Sequence, residues 1–193
     1  MVLVRTAAAE EWQVLRDIRL TALRDTPFAF GSTHVEEALL PEQHWRDRAG
    51  RGSSFLAYLP EVSTTEPVGL AAGYLETPGM AELVSMWVSP QARGRGVGEA
   101  LIARVADWAR GQADVTTLHL WVTTGNKPAR LLYERCGFAL TGEGQPLPRD
   151  PSLHEVAMSR PLYSALRGLA AWRPARAAFR GRRPARNGRG SWR

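Results

Sequence analysis

The residues best placed to do chemistry cluster after Val88, where Arg93, Gly94, Arg95, Gly96, Val97 and Gly98 follow one another. Val84 to Val88 is a β-rich run, Ser89-Pro90 stops it, and Val97, Leu101, Val105 and Trp108 recur at helical spacing. Strand, glycine-rich turn and helix in that order leave backbone N–H groups unpaired at the positive end of a helix, where they attract anions. Glycine permits positive φ and close approach of a ligand, and Arg93 and Arg95 add cationic side chains. The chemistry implied is the holding of a phosphate or pyrophosphate. The plain alternative is a tight connection with no ligand.

Two familiar phosphate readers are excluded by spacing. No Gly-Lys-Ser/Thr follows the glycines, and G-x-G-x-G differs from the G-x-G-x-x-G of dinucleotide-binding folds. A nicotinamide-dependent oxidoreductase would also need those glycines in a first βαβ unit, and a run of consecutive strands precedes them instead.

The fuller pattern, Gln91-x-x-Gly94-x-Gly96 after a strand ending at Val88, resembles the acetyl-CoA motif of the GNAT superfamily of acyl-CoA-dependent N-acyltransferases. Downstream, Asn126, Ala129, Tyr133, Gly137 and Phe138 stand as in the N-x-x-A-x-x-x-Y-x-x-x-G-F run that closes the same site. Two motifs in the right order are far more specific than either alone. The resemblance implies that N–H groups from Arg93 to Gly98 take the pyrophosphate of acetyl-CoA. It implies also that the backbone of Met86, Trp87 and Val88 pairs with the pantetheine arm like an added strand. The strand Ala81 to Val88 is then expected to bulge and to splay from Thr116 to Val122, with an N–H near Val88 facing the thioester oxygen.

Tyr133, at the motif's tyrosine, is the candidate acid. A phenol with an ordinary pKa of about 10 can hand its proton to a departing alkyl thiolate. A half-buried, merely satisfied Tyr is the structural alternative. Glu82 stands where some relatives carry the carboxylate that deprotonates the amine; a solvated strand-edge Glu, with water as base, is the alternative. Asn126 serves either the cofactor or its own turn. Cys136 reads as a small core residue, and His119 and Trp121 as core or acceptor-pocket packing.

These groups need a scaffold, and the pattern supplies one. Val2 to Arg5 reads as a strand, Ala8 to Asp25 and Thr33 to Arg48 as helices, and Ser54 to Leu59, Val68 to Leu75 and Ala81 to Val88 as an antiparallel meander. After the long helix come a strand at Thr116 to Val122, a short helix at Pro128 to Arg135, and strands at Phe138 to Glu143 and His154 to Arg160. The order β-α-α-β-β-β-α-β-α-β-β is mixed α/β with a largely antiparallel sheet flanked by helices, and coincides with the GNAT topology. The first two helices and the turn Phe28 to Gly31 would wall the acceptor pocket.

At 193 residues the chain suits one domain, expected over 1–160. Nine of its 25 basic residues and none of its 19 acidic ones lie in 161–193, so the expected domain is mildly acidic and the remainder is an Arg-rich tail, expected to be largely disordered. One cysteine and four scattered histidines argue for no metal. No apolar run is long enough for a membrane span, and the N-terminus lacks a signal-peptide pattern, so a cytoplasmic protein with no membrane contact is expected. The function implied is acetyl transfer from acetyl-CoA to a primary amine. The alternative is an acyl-CoA-binding scaffold, or a nucleic-acid or acidic-surface binder acting through weak contacts of the tail. The acceptor's identity and the oligomeric state are left open, a homodimer included.

Overall fold

The computed structural model describes residues 1–63 and 65–163. In chain order these form β1 (Leu3–Thr6), α1 (Trp12–Asp25), α2 (His34–Ala38), α3 (Glu42–Gly50), β2 (Ser54–Tyr58), β3 (Gly69–Thr77) and β4 (Met80–Val88). Then come α4 (Val97–Arg110), β5 (Thr117–Thr123), α5 (Lys127–Arg135), β6 (Ala139–Leu147) and β7 (Asp150–Pro161). The strands make one seven-stranded sheet in the order β1-β2-β3-β4-β5-β7-β6, antiparallel at every pairing except β4 with β5. No helix among the described residues is long and apolar enough to cross a membrane.

Alternation along the strands divides the core in two. Phe55, Ala57, Leu118 and Leu120 face α4, which buries Val97, Leu101, Ile102, Val105, Ala106 and Ala109 along one stripe. Leu56, Leu70 and Trp87 face the other way, against Leu15, Ile18, Ala22 and Leu23 of α1. The sheet is thus covered on both faces, and the site lies where it opens.

The single helix expected over Thr33 to Arg48 is two. Thr33 and Glu36 form a reciprocal capping box that starts α2, with Glu36 N donating to Thr33 Oγ1 at 3.2 Å and Thr33 N to Glu36 Oε2 at 2.9 Å. Pro41 keeps Leu40 out of helical geometry and becomes the N-cap of α3. The break lets α2 turn its Glu37 inward between Arg19 of α1 and Arg48 of α3. All three are buried; Arg19 Nη2 lies 2.6 Å from Glu37 Oε1 and Arg48 Nη1 3.3 Å from Glu37 Oε2. Burial pushes the Glu37 carboxyl up, but hydrogen bonds and charge from Arg19, together with the charge of Arg48, outweigh it and hold it below the usual carboxylate range. Burial and the neighbouring Arg19 pull Arg48 down to about 10.

At the C-terminal end, β7 runs one residue past the expected boundary at Arg160, and Leu162 packs into the α4-side core. Leu162 N donates to Thr116 O at 2.9 Å, and Arg110 Nε to Leu162 O at 2.9 Å. The Arg-rich tail beyond Tyr163 lies outside the described residues.

Candidate active site

The glycine turn leads into α4 as expected. Gly94 and Gly96 have φ of +72° and +79°, and Gly96 is the helix N-cap, with no side chain capping the first turn. Gly98 differs: it is helical, and a Cβ there would stand 2.7 Å from Leu132 Cδ2, so its missing side chain serves the packing of α5 against α4. Arg93 also departs from its expected part. Its N–H closes a 3₁₀ turn onto Pro90 O at 3.4 Å, its Nε donates to Val88 O at 3.0 Å, and its Nη2 meets Asp25 Oδ2 at 2.6 Å. Arg93 therefore braces the turn against α1, and the open N–H groups begin at Gly94. Arg95 is exposed beside them.

The expected bulge and splay are both present. Leu70 pairs with Trp87 and Ala72 with Val84, so two steps of β3 oppose three of β4, and Ser85 takes a φ of +58°. The extra residue reverses the alternation: Ala81 and Leu83 face α4 before it, Met86 and Val88 after it, while Trp87 turns to the α1 side. Positive φ at a serine is strained by about 1–2 kcal/mol. Arg48 holds it in place, donating from Nη2 to Ser85 Oγ at 2.8 Å. β4 pairs with β5 only at Met80 to Glu82 against Thr117 to His119. Beyond Glu82 the two strands part, leaving Leu83 to Val88 with a backbone edge turned to the gap.

One cleft at this gap is lined by Glu82, Ser85, Tyr133, Trp121, Phe30 and Glu155, with their neighbours. Tyr133 is buried, its ring edge-on to Phe138 at 5.9 Å, and burial raises its phenol above the ordinary value. Glu82 is not the solvated strand-edge residue of the plain alternative; it is only 3% exposed. It lies with His119 and Glu76, their ligand-type atoms within 4.8 Å of one another, and Glu76 keeps about a quarter of its side chain in solvent. The spacing of the histidines did not foretell this grouping, which is of a kind that can bind a metal ion. Asn126 holds its own turn, the second of the two parts expected of it: Oδ1 accepts from Ala129 N at 3.3 Å as the N-cap of α5. Cys136 is a partly buried packing residue whose thiol burial pushes up.

Sequence reasoning missed Ser85, Arg48 and Glu155. A further tie, from the turn between β6 and β7, has Arg149 donating to Phe30 O at 2.8 Å and to Pro27 O at 2.5 Å, which fixes the aromatic wall of the cleft.

An open helix N-terminus thus lies beside a bulged, splayed strand, and comparison with known proteins shows the family. Residues 14–138 match the model of the acetyltransferase (GNAT) family, and the chain belongs to that family. It is 33% identical over 151 residues to mycothiol acetyltransferase of Mycobacterium avium, a match covering 71% of this chain and 46% of that one. The chain thus spans about half the length of the curated relatives it matches. Among solved structures, a GNAT acetyltransferase of Streptococcus pneumoniae superposes with a TM-score of 0.68 at 18% identity, covering 83% of this chain and 99% of that one. An acetyltransferase of Salmonella typhimurium, solved with its cofactor acetyl-CoA, gives 0.66 at 17%, covering 89% and 99%. At these identities the likeness is one of fold.

Proposed function

We propose that the chain transfers the acetyl group of acetyl-CoA to a primary amine. The observation that carries this reading is the gap between β4 and β5, with the Ser85 bulge on its edge and Glu82 and Tyr133 lining one cleft. The N–H groups of Gly94 to Gly98 would hold the pyrophosphate, and the free edge of Met86 to Val88 the pantetheine. Acetyl-CoA supplies an activated acyl group.

The amine must lose a proton to attack, and Glu82 accepts it directly or through a water. His119 and then the part-exposed Glu76 offer that proton a path to solvent. As the amine nitrogen bonds to the carbonyl carbon, charge grows on the carbonyl oxygen. A backbone N–H of the bulged segment meets it, with the buried Arg48 guanidinium adding a favourable field behind Ser85. The carbon–sulfur bond then breaks, and Tyr133 protonates the sulfur. Burial makes Tyr133 a weaker acid, but it disfavours a thiolate in the same cleft as well, so the proton still has reason to move.

Calorimetry with acetyl-CoA and with CoA, followed by an amine panel monitored by thiol release, tests the reading. Micromolar binding with turnover is expected. Binding without turnover would favour an acyl-CoA-binding scaffold, and no binding at all would overturn both.

A further inference from the structure

The ionisable side chains that line the acceptor cleft are acidic, and the guanidinium behind the lining at Ser85, that of Arg48, is shared with Glu37. The cleft's described ionisable residues are Glu82, Glu155 and Tyr133, two carboxylates and a phenol. Glu155, on β7, is 5% exposed, and Gln145 of β6 donates from Nε2 to its Oε1 at 2.6 Å, which sets the direction of the carboxylate. Gln145 and Glu155 are also register partners.

Strand register places the two carboxylates at different depths. Glu82 pairs with His119 and Glu155 with Thr123, so they stand four residues apart along β5, roughly 13 Å at about 3.3 Å per residue. Trp121 lies between these levels and lines the cleft, with Phe30 and Tyr133 as further aromatic walls. Carboxylates at two depths joined by aromatic side chains suit a ligand with two positive ends and an apolar middle, because aromatic rings attract cations as well as methylenes. A ligand carrying a carboxylate would instead meet like charge in a partly dry cleft.

The geometry points to Glu155 as a specificity residue for a dicationic acceptor, an aliphatic diamine or an amine bearing a second positive group. The reacting amine lies by Glu82 and Tyr133, and the second cation by Glu155. This rests on the acetyltransferase reading and adds the charge class of the substrate.

The test compares putrescine, butylamine and γ-aminobutyrate as acceptors for the full chain, alike in carbon count and differing in the charge at the far end. The diamine is expected to exceed the other two by about thirtyfold or more in kcat/KM, the scale of one buried charge partner. Glu155→Gln keeps the side chain's shape and an oxygen for Gln145, and should bring the diamine down to the level of butylamine with acetyl-CoA affinity unchanged. Equal turnover of the three amines, preference for γ-aminobutyrate, or no turnover of any of them would each overturn the inference. So would selectivity surviving in a folded Gln variant. The comparison on the native chain stands even if that variant does not fold. Acetyl-CoA binding, measured separately, tells failure here from failure of the function itself.

Discussion

The buried charges under the bulge make a prediction that depends on which one is removed. Glu37 lies between two guanidiniums, with contacts of 2.6 Å to Arg19 and 3.3 Å to Arg48, and all three side chains are at most 1% exposed. Glu37→Gln takes away the only carboxylate in the trio while both cations stay buried, and breaking a buried ion pair this way costs about 3–5 kcal/mol. Arg48→Met leaves the closer pair, Arg19 and Glu37, intact, and relieves the repulsion and burial that already pull Arg48 down to about 10. What it loses is the bond to Ser85, about 1.5–3 kcal/mol for a charged donor, and the longer 3.3 Å contact with Glu37, both offset in part by the desolvation no longer required. Arg48→Met should therefore cost less than Glu37→Gln, with a difference of about 1–3 kcal/mol. It should still lower kcat by tenfold or more, because the bulge at Ser85 loses its tether. Denaturant midpoints and steady-state rates at neutral pH read both effects. Equal destabilisation by the two variants, or an Arg48→Met enzyme with native kcat, would refute the reasoning. The same trio sets an acid limit. The folded-state pKa of Glu37 is depressed, so its contribution is present above the unfolded value and is lost as pH falls through the folded one. Glu37→Gln should accordingly flatten the acid limb of the stability profile.

Three further outcomes follow from the turn, the cap and the tail. Gly96→Val must place a β-branched residue at a φ of +79° with open space around it, so about 1–2 kcal/mol of strain is expected, with a loss of acetyl-CoA affinity of more than tenfold by calorimetry. Unchanged affinity would remove the turn from the site. Asn126→Ala should lower stability by about 1 kcal/mol, as loss of an N-cap does, and leave acetyl-CoA affinity alone; weakened binding would assign Asn126 a contact with the cofactor as well. Truncation after Tyr163 keeps the packed Leu162, so folding and acetyl-CoA binding should persist while salt-sensitive retention on heparin falls; unfolding on truncation would put part of the tail within the domain.

The parts of this molecule readable from sequence are those whose physics is local. A chain that turns from a strand into an open helix N-terminus through positive φ needs glycines in a set order, and Gly94 and Gly96 have φ of +72° and +79°. Apolar periodicity located α1, α4 and the strands β2 to β5 for the same reason, since each buries a stripe or a face. The overestimated helix over Thr33 to Arg48 contained its own correction in Pro41, whose effect on Leu40 is also local. What escaped is non-local or runs against residue type. Nothing in a serine announces a positive φ, so Ser85 as the bulge residue depends on Arg48, thirty-seven residues away in the chain. Glu37 and Arg48 look like solvated helix residues until three helices close over them. Glu155 enters the cleft only because β7 inserts between β5 and β6, a pairing that the order of elements does not specify.

Replacing Tyr133 with Phe is the most direct test of the central claim, that acetyl transfer runs through the gap between β4 and β5 with this phenol as its acid. The variant keeps the ring against Phe138 and removes only the hydroxyl, so stability should change by no more than about 1 kcal/mol. Measured on a good acceptor where chemistry limits the rate, kcat should fall by ~10²-fold or more with acetyl-CoA affinity nearly unchanged. Native turnover by the Phe variant would contradict the account, leaving Tyr133 a packing residue and assigning the proton to another group.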